Sequence, residues 1–557
     1  MSTSRYFVTG FFLLFLIVPQ RVFTQDLDKF SLKNPVTVSG KLSSTATFYS
    51  SSGESQRDPF YWLINGSVNI SYNGVSIPLS FTFSQQQRAF AQPFNQIGMS
   101  PSYKGVTLHL GYRSMNFSDI TLGGATFLGV GAEVKPKNSR MSYAAMYGQL
   151  VQPIAPGNLT DSFTETPAYA RYGYGAKITH ENDGNTVDFI FFRGSDDVSS
   201  VDIPDSLDVD PQENAIVGLN FKRTFNKKLT LNLQTAYSGY TLNTRLAPAT
   251  GEDFSYRNNL DPFLETNLST QFNKAIITDL TYKAKLFNVK FAYRRIDPEY
   301  QTMGSTFLVN DFENITGTVS WVMLKNKLNF SATYGQQRDN LNADKVSEMQ
   351  RDVGGINAVY VPNPKLNFSA SYSNFSSSTT YDAALFLDSL NYLQVTRNGT
   401  LNVNYLINKK NKNRAAYLLA NWQDVSDPSG NSSTFYNFSV GHQMFYTISG
   451  VTLNTGLTYT NNAVTGLIND SYGPTISVSK NFFEKKLNAR FNTTALQSNM
   501  DGERQSRFIN TRLNFKYIYN SKHQLQFAGT YLVKQSFGDT DDTTTEFRGQ
   551  FGYSYKF

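Results

Sequence analysis

Apolar and polar residues alternate along most of this chain with a period of two. Leu229, Leu231, Leu233 and Tyr237 fall on one side of an extended segment, and Thr230, Asn232, Gln234 and Ser238 on the other. The pattern recurs at Leu328, Phe330, Ala332 and Tyr334 against Asn329, Ser331 and Thr333, at Leu366, Phe368, Ala370 and Tyr372, and at Leu525, Phe527, Gly529 and Tyr531. A period of two rather than 3.6 predicts strands with one apolar and one polar face. A soluble sandwich would alternate as well. Two features favour a membrane barrel: amphipathic segments follow one another from residue 36 to the last residue without a helical stretch, and the chain ends in Phe551, Tyr553, Tyr555 and Phe557 on one face. Such a last strand resembles the assembly signal of bacterial outer-membrane barrels.

The connections between these segments come in two kinds. Short ones carry Lys, Asn or Gly: Asn73-Gly74, Pro136-Lys137-Asn138, Asp183-Gly184-Asn185, Asn226-Lys227-Lys228, Lys325-Asn326-Lys327, Pro362 to Lys365, Glu484-Lys485-Lys486 and Asn520-Ser521-Lys522. Between them lie longer polar stretches at 151–168, 195–212, 247–262, 297–311, 376–391 and 537–545. Outer-membrane barrels have short periplasmic turns and longer outer loops, so the short turns and both termini are expected in the periplasm. One region disturbs the alternation. Val106 to Ser114 reads as a strand, yet the two-sided pattern holds only if residues 88–124 contribute an even number of crossings. Either this segment lies inside or above the barrel, giving about 24 strands, or it pairs with a second crossing near 116–124, giving about 26. The Gln, Pro and aromatic content of 88–105 favours the count of about 24, with 88–124 as an inward-folded or loop segment. The expected fold is therefore an all-β, transmembrane, antiparallel up-and-down barrel.

Composition narrows the setting. Cysteine is absent, which excludes a disulfide-stapled scaffold, a Cys-ligated metal centre and a lipoprotein held by an N-terminal cysteine. Beyond the leader no apolar run approaches the roughly 18 to 20 residues that a membrane helix needs. At the N-terminus, Arg5, the apolar stretch Phe11 to Val18 and Val22-Phe23-Thr24 before Gln25 form an export signal. The expected division is a signal peptide at 1–24, a short periplasmic segment at 25–35 and a barrel at 36–557. The formal net charge is +7, and the leader removes Arg5 and Arg21 from it, which is too mild a balance to imply nucleic acid. About a dozen mature residues precede Val36, too few for the plug domain of an energy-coupled transporter.

The candidate chemistry is sparse. The four histidines, His109, His180, His442 and His523, match neither a zinc-protease spacing nor a nucleophile elbow. Asp196-Asp197 and Asp541-Asp542 lack a histidine partner in the sequence, and the carboxylates of 196–213 lack calcium-loop spacing, so solvated loop acids are the simpler account. No catalytic residue, cofactor site or metal site is assigned. A barrel this wide poses a different question, because barrels of 16 to 18 strands already leave an aqueous channel. An inward fold of 88–124 would narrow the lumen, making Arg88 and Arg113 candidate lumen-lining cations; the plainer alternative is a solvated or salt-bridged arginine. In Tyr293-Arg294-Arg295-Ile296-Asp297-Pro298 the two arginines point to opposite faces, so at most one lines the lumen and the other belongs at the outer interface.

The stretches Arg88-Ala89-Phe90-Ala91-Gln92-Pro93-Phe94-Asn95-Gln96, Tyr112-Arg113, Gly123-Gly124-Ala125-Thr126-Phe127-Leu128-Gly129 and Arg295-Ile296-Asp297-Pro298 resemble large uncharacterised outer-membrane β-barrel proteins of Bacteroidota. The resemblance implies a fold and a Gram-negative outer-membrane location, and brings no catalytic residues. The expected function is a porin-like channel with a constricted lumen; the alternative is an accessory or scaffold barrel in an assembly or secretion complex. The partners expected are outer-membrane lipid and lipopolysaccharide, the assembly machinery during biogenesis and, for the scaffold, other outer-membrane or periplasmic subunits.

Overall fold

The computed structural model describes residues 35–557 except 54–56, 86–93, 157–165, 249–262, 306, 382–391, 410, 427–431 and 539–541. The expected leader and all but residue 35 of the segment 25–35 lie outside the described residues.

Strands β1 (Thr37–Ser51), β2 (Phe60–Tyr72) and β3 (Val75–Ser84) begin one antiparallel sheet. Asn73 and Gly74 close the β2–β3 turn at φ of 47° and 82°, the positive pair that a type I′ hairpin requires. Two short pieces follow, β4 (Gln96–Met99) and β5 (Ser102–Tyr103), each paired with β3 on one side and with β6 (Val106–Asn116) on the other. They are halves of one wall strand, broken at Ser100-Pro101, where the proline has no N–H for the ladder.

The wall continues through β7 (Gly123–Val134), β8 (Met141–Val151), β9 (Ala170–Asn182), β10 (Asn185–Asp197), β11 (Glu213–Phe225), β12 (Leu229–Thr241), β13 (Thr270–Lys283) and β14 (Phe287–Ile296). Next come β15 (Phe312–Met323), β16 (Leu328–Arg338), β17 (Ser347–Asn363), β18 (Leu366–Tyr381), β19 (Tyr392–Lys409) and β20 (Lys412–Ser426). The last are β21 (Ser433–Tyr446), β22 (Val451–Val464), β23 (Leu467–Phe482), β24 (Leu487–Met500), β25 (Glu503–Ile518), β26 (His523–Ser536) and β27 (Asp542–Lys556). Strand β1 pairs with β27 from Lys41 opposite Lys556 to Ser51 opposite Glu546, and this closes the sheet. With β4 and β5 taken together the barrel has 26 strands and no free edge.

The alternation seen in the sequence becomes two faces. Phe189, Val217, Tyr334 and Leu457, each about 60% exposed, lie on the outside with the other large apolar residues of their strands. Thr230, Asn232 and Gln234, or Asn329, Ser331 and Thr333, point inward. An apolar exterior around a polar interior is the architecture of outer-membrane barrels.

Two expectations need correction. The barrel has the 26 strands of the alternative, not the favoured 24, and Val106–Asn116 is part of the wall. The extra crossing is also not near 116–124: it is the broken strand at 96–103, too short and too interrupted to show in the pattern. Both ends of the barrel, moreover, use tight turns. Thr465-Gly466 and Asp501-Gly502 close two-residue turns at the end that carries the long loops.

Candidate functional site

The lumen is the candidate site, and its two halves differ. Over the loop-side part of β7 to β11 the inward positions are unusually small or apolar: Gly129, Gly131, Gly148, Gly173, Gly175, Gly194 and Gly218 alternate with outward residues, beside Phe127, Met146, Ile190, Phe192 and Ile216. The glycines leave room. A Cβ on Gly175 would stand 3.1 Å from the Phe117 ring, one on Gly218 would stand 2.8 Å from the Thr121 methyl, and one on Gly194 would stand 2.9 Å from Met303.

Two connections occupy that room. The β6–β7 link, residues 117–122, turns into the barrel and buries Phe117, Ile120 and Leu122 almost completely. Residues 297–304, after β14, fold in above it and bury Tyr300 and Met303. Together with the wall they form the main buried apolar cluster, which therefore lies inside the barrel.

Inward backbone must find hydrogen-bond partners once water is excluded. The Tyr300 hydroxyl donates to the Ile120 carbonyl at 2.5 Å, the Thr302 hydroxyl to the Thr121 carbonyl at 2.7 Å, and the Gly123 N–H to the Gly304 carbonyl at 2.9 Å. Wall side chains complete the set. Asn214 accepts from the Met303 N–H at 3.2 Å, Ser238 donates to the Gln301 carbonyl at 2.7 Å and Asn220 to the Phe117 carbonyl at 3.2 Å. Burial pushes the Tyr300 phenol well above its ordinary range, so it remains a donor. Replacing Tyr300 with Phe strands the Ile120 carbonyl in an apolar site and is expected to cost about 1–3 kcal/mol. A lowered urea midpoint with an unchanged denaturant slope would show this; an unchanged midpoint would mean that the bond contributes nothing.

Near the loop end the filled half is capped by charge. Arg171 forms a fork with Asp196 at 2.7 and 2.9 Å, and Gln212 joins it through Arg171 and the Tyr240 hydroxyl. Arg193 pairs with Glu213 on the opposite face of the wall. The carboxylates of 196–213 are thus dispersed: Asp196 on Arg171, Asp197 on the Ser199 N–H, Asp205 on Arg245 and Glu213 on Arg193.

Of the residues singled out in the sequence, Arg88 and Asp541 lie outside the described residues. Arg113 faces inward and bonds to the Ser80 hydroxyl at 2.7 Å and to the Gly98 carbonyl. A polar cavity of about 390 Å³ lies beside it, lined in part by Gln96, Ser100 and His109. Arg113 thus ties β3, β4 and β6 together along one sector of the wall. Arg294 shares the inward face with Ile296, whereas Arg295 faces outward and pairs with Asp297 at 3.0 Å and Glu313 at 3.7 Å. Phe551, Tyr553 and Tyr555 face outward, and Phe557 exchanges two backbone hydrogen bonds with Gly40 at the seam.

The inward role of 297–304 was missed in the sequence. A signal existed: Tyr300 and Met303 are large apolar residues in a loop, and Gly-Val-Gly at 129–131 and Gly-Tyr-Gly at 173–175 put glycines at period two on one face.

The other half of the lumen, from β15 through β27 to β3, is lined by hydroxyls and amides. Cross-strand pairs such as Thr318 with Thr333 at 2.9 Å, Ser439 with Thr458 at 3.1 Å and Thr475 with Thr494 at 3.0 Å recur along it.

No family model matches the chain, and no curated protein does. Solved structures do match. The FrpB iron transporter from Neisseria meningitidis (F3-3 variant) aligns at 11% identity over 93% of this chain and 81% of that one, with a TM-score of 0.37. OccAB3 of Acinetobacter baumannii aligns at 12% identity over 66% and 98%, with a TM-score of 0.33. OpdK of Pseudomonas aeruginosa with vanillate aligns at 9% identity over 67% and 99%, with a TM-score of 0.31.

Proposed function

We propose that this protein is a passive outer-membrane channel for polar solutes, with half of its lumen sealed by its own chain. The division of the inner wall carries the reading: the loop-side part of β6 to β14 encloses a buried apolar core, whereas β15 to β27 and β1 to β3 present hydroxyls and amides along their length. A solvated polar face gives water and small polar solutes a continuous path, while the filled half keeps a 26-strand circumference from forming a breach. Orientation follows from the ends. Residue 35 and Phe557 lie at the end where most connections are short, which in outer-membrane barrels is the periplasmic side.

The purified chain in a planar lipid bilayer is expected to give stepwise ion conductance, and in liposomes to admit small neutral sugars. Silent bilayers together with stoichiometric co-purifying subunits would instead support a scaffold whose lumen stays closed.

A further inference from the structure

The open half of the lumen carries a ladder of cations on β24 to β27. The inward face there is the one opposite Phe491, Leu513, Phe527 and Phe551, and it holds Arg490, Arg512, Lys516, Lys534 and Arg548, all of them exposed. The register sets their order. Arg512, Thr530 and Arg548 form one transverse row, Arg490 lies opposite Asn514, Lys516 opposite Gln526 toward the short-turn end, and Lys534 opposite Thr544 toward the loops. Arg512 and Arg548 are two strands apart, roughly 10 Å. That is about one Debye length at 0.1 M salt, so their fields overlap.

The five cations outnumber the carboxylates on this inward face. Among the described residues none of the five makes an ion pair; Arg548 donates to the Tyr61 hydroxyl at 3.2 Å, and Lys534 lies over the Phe508 ring. Of the carboxylates on these four strands, Glu503 and Asp542 sit at the loop ends, and Glu546 shares the inward face of β27 with Arg548, two residues away. In the filled half some inward cations are paired, as with Lys290 and Asp279 at 3.7 Å or Arg171 and Asp196, and Asp188 also lies on that face, bonded to Asn220. An excess of positive charge therefore lies along this side of the open path.

We infer that the channel selects small anions, inorganic or carboxylate, over cations, and that the β24–β27 ladder is the selectivity element. This rests on the channel reading above. The ladder lies on one wall of a wide path, so salt screens it strongly and the preference should grow as salt is lowered.

The test is the reversal potential of the full chain in a planar bilayer under an about tenfold KCl gradient, repeated at lower mean salt. Chloride should permeate better than potassium, and more so at low salt. In the double variant Arg512→Gln with Arg548→Gln the chloride to potassium permeability ratio should fall by at least about twofold, most visibly at low salt. Glutamine already occupies inward positions 526 and 550 beside these sites, so the wall accommodates it. Arg512→Lys with Arg548→Lys should keep the selectivity, which separates charge from packing. A conducting barrel that prefers potassium, or whose ratio is unmoved in the glutamine variant, overturns the inference and leaves the channel intact. A silent barrel overturns both.

Discussion

Excising residues 117–122 and joining Asn116 to Gly123 through Asn-Gly is expected to raise single-channel conductance by at least about twofold. Asn116 and Gly123 are already register partners, so a two-residue turn can close the hairpin without moving either strand. The cut removes Ile120 and Leu122, both fully buried, and with them the acceptors of Tyr300 and Thr302. Residues 297–304 then lose their seat. Each lost large apolar side chain costs about 1.5–3 kcal/mol of burial, so the filled half should loosen and hydrate. The wall should survive, because its ladders and its seam do not involve the excised residues. Conductance unchanged from the parent, in a barrel shown to be folded by heat-modifiable electrophoretic mobility, would mean that the inward core does not limit the path. A cut at 89–104, the other part of the 88–124 segment expected to fold inward, is a different experiment. It removes the wall strand formed by β4 and β5, leaving β3 and β6 without the partner between them.

Gly40→Val is expected to prevent most of the chain from closing. At the seam the Gly40 N–H donates to the Phe557 carbonyl at 2.9 Å, and the Phe557 N–H returns a bond to the Gly40 carbonyl at 3.2 Å. There is no space for a side chain at that point. A Cβ on Gly40 would stand 2.4 Å from the Ser67 carbonyl oxygen and 2.9 Å from the Phe557 ring. The first of these is backbone and cannot swing aside, so β1 must shift against β2 or against β27. An open barrel would leave two rows of N–H and C=O groups in lipid, each group costing several kcal/mol, which makes closure close to all-or-none. The folded yield should fall about tenfold, a difference of only about 1.4 kcal/mol between closed and open forms. Comparison of heat-modifiable mobility between the parent and the variant measures it, and equal folded fractions would refute the argument. Gly549→Ala on β27 is a useful control, since its Cβ would meet only the edge of the Phe547 ring at 3.2 Å.

How far the sequence reaches is clearest in particular residues. The faces of β16 were legible: Leu328, Phe330, Ala332 and Tyr334 lie outside and Asn329, Ser331 and Thr333 inside, because a pleated strand sends neighbouring side chains to opposite sides whatever its surroundings. The Asn73-Gly74 hairpin was legible for a similarly local reason, since two positive φ values suit few residue pairs. The opposed directions of Arg294 and Arg295 followed from the same pleat. The strand at 96–103 was hidden because its ladder is broken at Pro101, leaving pieces too short to show a period.

The sequence by itself determined an all-β chain with an apolar and a polar face and a set of tight turns, and hence a barrel suited to a membrane. These are consequences of period two and of local dihedral limits, which need no knowledge of neighbours. Only the tertiary structure decided which residues fill the lumen. Phe117, Ile120 and Leu122 look in sequence like any apolar residues beside a strand, and the group that holds them, the Tyr300 hydroxyl on the Ile120 carbonyl, is 180 residues away. The cation ladder has the same origin. Arg490, Arg512, Lys534 and Arg548 are separate charges on four strands until the register sets them side by side. Packing and electrostatic fields act through space, so their outcome is fixed only when the strands are paired.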